Sequence, residues 1–132
     1  MSATRKAFLA GIAVTTVSLL PAAATAAVGE RAIMLTLYAK MKDPDAFRKY
    51  YLSTHAALIK QLPKIVSYEV STGPITQELT QPAPFELISF VGFASMDDLH
   101  AALASPAGKA AVDDLKHFAT GTSLLIFQTA ST

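Results

Sequence analysis

The residues best suited to chemistry in this sequence are His55 and Tyr51, which lie four positions apart. A neutral imidazole takes up or releases a proton near neutral pH, and burial favours its neutral form. On a helix the Tyr51 hydroxyl can bond either the imidazole ring or an oxygen of a bound molecule. In a dry pocket, this pair suffices for proton transfer on an enolisable or phenolic compound. The alternative is a structural histidine that bonds Tyr51 or a backbone carbonyl.

Both residues belong to a segment with strong helix signals. Asp43 is a suitable N-cap, and Pro44 suits the first helical position. Pro63 disfavours a helical conformation at the preceding residue, so the helix is expected to end there. Residues of the less polar face recur at steps of three and four: Phe47, Tyr51, Thr54, His55, Leu58 and Leu62. The pattern predicts an amphipathic helix with His55 in the middle of its buried face.

The rest of the chain alternates between apolar segments and helix signals. Strands are predicted over residues 31–40, 64–72, 85–94 and 122–128. Residues 73–84 form a loop or a long hairpin connection. Ser95 and Ser105 start helical segments, so the second helical region is expected to break near Ala104. The order strand, helix, strand, strand, helix, strand predicts a ferredoxin-like α+β fold with a four-stranded antiparallel sheet.

The last two predicted strands, residues 85–94 and 122–128, are apolar on both faces. In the predicted fold both helices cover the same face of the sheet, so the other face would expose Leu, Ile and Phe side chains. Large exposed apolar patches usually mark an interface. We therefore expect two sheets to pack together in a symmetric homodimer.

The first 26 residues have the pattern of an export signal. Arg5 and Lys6 precede an apolar run over residues 7–20, and residues 24–26 fit small-residue cleavage. The run is short for a bilayer span of about 20 residues, so we expect cleavage and a single exported domain, residues 27–132, in the periplasm or the medium. This domain would have no stable membrane association. A permanent anchor is the alternative, and the sequence does not separate ordinary secretion from twin-arginine export.

Composition argues against several classes of protein. The chain has a formal charge of +1, which becomes −1 without Arg5 and Lys6, so there is no electrostatic reason to expect nucleic acid. The absence of Cys excludes disulfides and thiolate sites. The three His residues lack metal-ligand spacing. His100 is assigned no role, and His117, near the end of a helix, is interpreted as a helix-dipole partner or a solvated residue. Neither a phosphate loop nor a G-x-S-x-G elbow is present.

A series of short segments extends from residue 47 to residue 121. The longest is FRKYYLSTHAAL, residues 47–58, and the others are residues 62–63, 68–70, 85–88, 101–108 and 118–121. Together they resemble the EthD family of dimeric α+β barrels over almost all of residues 31–128. Ala57 stands where the family commonly has Pro, which is expected to leave the helix more regular around His55. Lys64 stands where Gly usually follows Leu-Pro, which alters the turn into the next strand.

The resemblance implies a dimer with a cavity between sheet and helices, lined partly by the His of the first helix. Family members are associated with oxidation and ring-closing steps on small hydrophobic or aromatic compounds, often as accessory proteins. We therefore expect no cofactor and either an enzyme of oxidoreductase, isomerase or cyclase type or an accessory protein of an oxidative or degradative pathway. Alternatives are a non-catalytic binding protein and a structural dimer with a closed cavity. A minor alternative is haem on His55 or His117, because some relatives of this architecture bind it through one His.

The predicted site has two parts. His55 moves a proton and Tyr51 orients it. Aromatic side chains then hold a small hydrophobic or aromatic molecule: Tyr38, Phe47, Tyr68, Phe85, Phe90 and Phe118. The alternative for each aromatic residue is an ordinary place in the core. The sequence identifies neither the substrate nor the reaction.

Overall fold

The structure is a computed structural model that describes residues 30–132 of the 132-residue chain. The predicted export signal, residues 1–26, lies outside the described residues. Among the helices of the described part, none combines the length and the apolar character needed to cross a bilayer.

Residues 30–132 follow the predicted order of strands and helices, with a π-helical turn inside the first helical segment. The elements are β1 (Arg31–Ala39), α1 (Pro44–Tyr50), the π turn (Tyr51–His55), α2 (Ala56–Ile59), β2 (Ile65–Val70), β3 (Thr76–Gln77), β4 (Gln81–Pro82), β5 (Phe85–Phe93), α3 (Met96–Ala104), α4 (Pro106–Phe118) and β6 (Thr122–Thr129). The short strands β3 and β4 pair as a hairpin within the predicted loop.

The four long strands form one antiparallel sheet in the order β2-β5-β1-β6. This order is that of a ferredoxin-like β-α-β-β-α-β fold, and the predicted fold class is confirmed. Side chains alternate between the two faces of a strand. On the central strand β1 the helix-facing residues are buried, whereas Ile33, Leu35 and Leu37 are half-buried on the open face.

Two apolar clusters fill the space between the sheet and the helices. The first cluster is built on Met34, Ile59, Leu62, Val91, Phe93, Leu99 and neighbouring alanines. The second cluster contains Tyr38, Phe47, Tyr51, Ala56 and Leu87. The boundary between the clusters falls at Thr36 on β1, Ser89 on β5 and His55 on the π turn, and all three are buried polar residues. A polar layer therefore separates two apolar halves of the core.

A local signal accounts for the start of the first helical segment, which ends at Ile59, before the end predicted from Pro63. The Asp43 Oδ1 atom accepts a hydrogen bond from the backbone N–H of Ala46 at 3.0 Å, which is the predicted N-cap. After α2, Lys64 adopts a left-handed conformation with φ of +62°. This conformation favours Gly, the residue that the family resemblance indicates at this position. The turn into β2 therefore has backbone strain at Lys64.

The middle of this segment differs from the regular helix that was predicted. Residues 51–55 form a π turn, in which an extra residue widens the helix. The buried positions consequently continue from Tyr51 to His55 and Ile59 in steps of four. Thr54, which was predicted on the buried face, is exposed. The expectation of a more regular helix around His55, based on Ala57, is therefore wrong.

The junction between α3 and α4 positions the second helical layer over the sheet. The Ser105 hydroxyl donates to the carbonyl oxygen of Ala102 at 2.6 Å and accepts from the N–H of Gly108 at 3.1 Å. Ser105 thus ends α3 and caps α4, which explains the predicted break. Gly108 lies directly against the backbone carbonyl of Ala102, where a Cβ atom would collide with it.

We predict that Gly108→Ala destabilises the domain by about 2 kcal/mol, because an added methyl group would force the two helices apart. Urea unfolding followed by circular dichroism measures the change in the free energy of unfolding. Lys109→Ala is the matched control, since Lys109 is exposed on the same turn; a change within about 0.5 kcal/mol is expected there. A Gly108→Ala variant as stable as the parent would contradict the close packing of this junction.

Candidate active site

The centre of the site is a buried hydrogen bond between His55 and Asp114. The His55 Nδ1 and Asp114 Oδ2 atoms are 2.9 Å apart, and the residues are 1% and 8% exposed. An ionised carboxylate only accepts hydrogen bonds, so Nδ1 carries the proton of the neutral imidazole. The other ring nitrogen, Nε2, then keeps its lone pair. His55 is therefore held in the tautomer that accepts a proton through Nε2.

The second oxygen of Asp114 is also occupied. The Tyr50 hydroxyl donates to Asp114 Oδ1 at 2.7 Å. Tyr50 ends α1, His55 ends the π turn and Asp114 lies on α4, so the carboxylate ties the first helical segment to the second. Sequence reasoning missed Asp114, the partner of His55, and Tyr50, which bonds Asp114. One signal was available: Asp114 follows Ala111 by three positions and precedes Phe118 by four, which places a carboxylate on the less polar face of α4.

Burial lowers the pKa of His55 below its ordinary value of 6.5, and the hydrogen bond and charge of Asp114 oppose this shift. Desolvation disfavours the charged imidazolium, so His55 is neutral at neutral pH. A neutral imidazole with a free lone pair is the form that a general base requires.

Tyr51 lies beside His55 without bonding its ring. The ring centroids are 5.4 Å apart, and the Tyr51 hydroxyl is 2.7 Å from the hydroxyl of Tyr68. Burial raises the pKa of Tyr38, Tyr51 and Tyr68. These hydroxyls therefore stay protonated and can donate hydrogen bonds. The partner of His55 is a carboxylate, neither Tyr51 nor a backbone carbonyl.

A small cavity lies next to His55, between the two apolar clusters. Its free volume is about 20 Å³, roughly enough for one water molecule. Its lining is mainly aliphatic, and Val112 on α4 and Leu124 on β6 form a partly exposed part of it. The polar residues of the lining are Thr36, Tyr38, His55 and Ser89. The cavity thus approaches the surface between α4 and β6.

Three of the predicted aromatic residues form a cluster with the site. Phe47 and Phe118 stack with their ring centroids 5.7 Å apart, and Phe118 lies 4.9 Å from the ring of His55. Tyr38 packs between this cluster and the cavity, which it lines. Phe118 therefore packs against both His55 and Tyr38, Phe47 packs against Tyr38, and neither Phe side chain lines the cavity itself.

The remaining predicted aromatic residues lie elsewhere. Tyr68 bonds Tyr51, as described above. Phe85 is half-buried at the start of β5 and does not line the cavity. Phe90 is exposed on the opposite face of the sheet, because strand alternation turns Ser89 and Val91 toward the helices and Phe90 away from them. Phe90 is therefore outside the candidate site.

The described residues do not fit a metal or haem site. Within residues 30–132, no group of three or more His, Asp or Glu side chains could hold a metal ion. His100 and His117 are exposed on α3 and α4. The cavity beside His55 has about 20 Å³ of free space, whereas pockets for ligands well below the size of haem measure about 300 Å³ or more.

The fold and the buried site define a ferredoxin-like α+β protein with a histidine–carboxylate pair beside an apolar cavity. In a comparison of the sequence with protein families, the family model of the EthD domain matches residues 40–122. This match spans more than half of the chain, and the chain belongs to the EthD family.

A curated relative comes from Rhodococcus erythropolis. It is an uncharacterised 11.0 kDa protein of the thcB–thcC intergenic region, and it is 29% identical over 91 residues. The alignment covers 69% of this chain and 86% of that protein.

Several solved structures share the fold. An EthD family protein from Bacillus halodurans has a TM-score of 0.66 at 24% identity, covering 77% of this chain and 99% of its own. A hydroxynitrile lyase from Passiflora edulis has a TM-score of 0.61 at 11% identity, and the match covers 79% of this chain and 96% of the lyase. SnoaB from Streptomyces nogalater, described as a cofactor-independent oxygenase, has a TM-score of 0.53 at 15% identity, with the same coverage. A protein from Thermobifida fusca described as dimeric and ferredoxin-like has a TM-score of 0.56 at 13% identity, with coverage of 79% and 93%.

We predict that acid destabilises the folded protein through His55. Because the pKa of His55 is lowered in the folded state, the unfolded chain binds more protons once the pH falls below about 6.5. The free energy of unfolding should therefore decrease from about pH 7.5 to pH 5.5, before most carboxylates titrate. The measurement is urea unfolding of the parent and of His55→Gln across this range.

The difference in stability between parent and His55→Gln should shrink as the pH falls. His117→Gln is the control, because His117 is exposed, and its pH dependence should follow that of the parent. A difference that grows on acidification would mean that the carboxylate of Asp114 outweighs burial and holds His55 protonated.

Proposed function

We propose that this EthD-family protein binds a small apolar or aromatic molecule beside His55 and moves a proton on it without a cofactor. The observation that carries the proposal is the buried hydrogen bond between His55 and Asp114 at the wall of an apolar cavity. The protein would act as an enzyme of oxidoreductase, isomerase or cyclase type, or as an accessory protein in an oxidative or degradative pathway.

In this proposal Nε2 of His55 removes a proton from a C–H or O–H group of the bound molecule. The imidazole becomes an imidazolium, and the charge of Asp114 stabilises it at a hydrogen-bond distance of 2.9 Å. The bound molecule becomes an enolate or a phenolate, an electron-rich species from which isomerisation, ring closure or oxidation can start. Return of the proton to a second position of the molecule would complete an isomerisation and restore neutral His55.

Two proteins of similar fold support this reaction class. The Streptomyces nogalater protein is described as a cofactor-independent oxygenase and the Passiflora edulis protein as a hydroxynitrile lyase. At 15% and 11% identity they share the fold with this chain. They support the proposal because they are described as enzymes that act on small molecules and have this fold.

The size of the cavity favours a second candidate, a structural dimer whose cavity has closed. About 20 Å³ of free space holds no molecule larger than a water. Binding of an aromatic molecule requires Val112 and Leu124 to move apart at the mouth. Because both side chains are partly exposed, their movement disturbs less of the core than movement of the buried lining would.

Deuterium exchange on small ketones tests the proposed chemistry. Acetone, 2-butanone and acetophenone are incubated with the protein in D₂O, and loss of the proton signal beside the carbonyl is followed by NMR. The parent is expected to accelerate exchange, and His55→Gln to reduce this acceleration at least about 100-fold. Asp114→Asn should reduce it as well, because it removes the charge that stabilises the imidazolium.

Asp113→Asn is the matched control for Asp114→Asn. Asp113 is the preceding residue on α4, and its side chain is 70% exposed, so exchange should equal that of the parent. Acceleration that survives His55→Gln would exclude His55 as the base. A parent that accelerates none of the three exchanges and binds none of the ketones would favour the structural dimer.

The open face of the sheet supports a homodimer. Phe90 on β5, Leu35 on β1 and Leu125 on β6 are register partners that form a row across three strands. Phe127 pairs with Ile33 in a neighbouring row. Phe90, Leu125 and Phe127 are exposed in the single chain. An apolar sheet face of this kind is covered when two copies pack face to face across a two-fold axis.

We predict that native mass spectrometry shows a dimer and that Leu125→Asp converts it to a monomer, because a two-fold interface would bury the new charge twice. Leu52→Asp is the matched control, since Leu52 is equally apolar and exposed but lies on the π turn; it should remain dimeric. A monomeric parent would exclude this interface.

The same spectrum tests the proposed export. The mass of a chain that begins at Ala27 would support cleavage, and the mass of a chain that retains residues 1–26 would contradict it.

A further inference from the structure

The buried polar side chains of residues 30–132 are concentrated at one place. They are Thr36, His55, Ser89 and Asp114; the first three line the cavity, and the fourth bonds His55. A buried hydroxyl costs free energy unless it finds a partner. At Thr36, Val would have almost the same shape and would suit a central strand at least as well. Packing alone therefore does not account for the hydroxyl of Thr36.

Thr36 and Ser89 lie directly opposite each other on adjacent strands. Thr36 on β1 is the register partner of Ser89 on β5, and both face the helices. Directly opposed residues of an antiparallel pair have Cβ atoms about 5 Å apart. The two hydroxyls are thus close enough to contact the same atom of a bound molecule.

Apart from the Tyr38 hydroxyl, which also lines the cavity and interacts with Ser89, the surroundings of this pair are apolar. Along the same face of the sheet, the next register pairs are Met34 with Val91 on one side and Tyr38 with Leu87 on the other. All four residues are buried. Between the two apolar clusters, Thr36 and Ser89 therefore form a polar spot on the sheet side of the cavity, and His55 lines the same cavity from the helix side.

We propose that Thr36 and Ser89 form an oxygen-binding subsite that holds the oxygen of a small phenol or enolisable carbonyl compound within reach of His55. A hydroxyl can donate to an oxygen whose negative charge grows as a neighbouring proton leaves. The inference rests on the proposed function and narrows its substrate class. The molecule has an oxygen beside its acidic proton, and pure hydrocarbons are disfavoured.

Phenol and toluene test the subsite, because they have the same shape and differ in a hydroxyl against a methyl group. Binding of each to the full-length protein is measured by NMR titration. The parent should bind phenol at least about tenfold more tightly than toluene, which corresponds to about 1.4 kcal/mol. Thr36→Val should remove most of this preference while leaving the affinity for toluene within about twofold.

Thr122→Val is the matched control. Thr122 lies on β6 opposite Tyr38 and does not line the cavity, so the preference for phenol should remain. Ser89→Ala is the second test variant if Thr36→Val folds poorly, and it should also reduce the preference for phenol. Circular dichroism of each variant establishes that the fold is retained.

The outcomes separate the subsite from the proposed function. If the parent binds toluene and phenol equally, or if neither variant changes its preference for phenol, the cavity binds small molecules and the subsite is overturned. If the parent binds neither compound, the cavity is closed, and the proposed function fails together with the subsite. Loss of phenol preference in Thr36→Val with toluene binding intact supports both.

Discussion

The hydrogen bond between His55 and Asp114 is the interaction on which the rest of this structure depends. It joins residues 59 positions apart and ties the π turn of the first helical segment to α4. Removing an ionisable pair from water is costly, and the structure offsets this cost by occupying both carboxylate oxygens, the second one with Tyr50. The ring of Phe118 packs against His55. The pair is therefore held in one geometry, with Nε2 of His55 left for other chemistry.

Buried polar side chains divide the core into two apolar clusters, whereas the core of a purely structural protein would be continuously apolar at this place. Aliphatic side chains in place of Thr36 and Ser89 would join the apolar clusters on either side of the cavity and would stabilise the domain more than two buried hydroxyl groups do. The π turn belongs to the same region, since it places Tyr51 and His55 on the buried side together with Ile59. Departures from ideal packing and helix geometry that coincide in one place are typical of a functional site.

Strand β6 connects the two surfaces that the single chain leaves incomplete. One of its faces presents Leu125 and Phe127 on the open side of the sheet, and the other presents Leu124 at the cavity mouth. In the proposed dimer, a partner that packs on the first face would also steady the strand that forms the mouth. Assembly and access to His55 would then be physically linked, because both depend on the position of one edge strand.

The sequence by itself determined the order of the elements, the caps at Asp43 and Ser105 and the burial of His55, because these follow from local periodicity and capping chemistry. It also determined the family, through the segments between residues 47 and 121. Tertiary structure decided the rest. The π turn depends on backbone hydrogen bonds that a side-chain pattern does not specify, so Thr54 was misplaced. The pairing of His55 with Asp114 and of Thr36 with Ser89 depends on how α4 and β5 pack against residues far away in the chain, which no local spacing encodes.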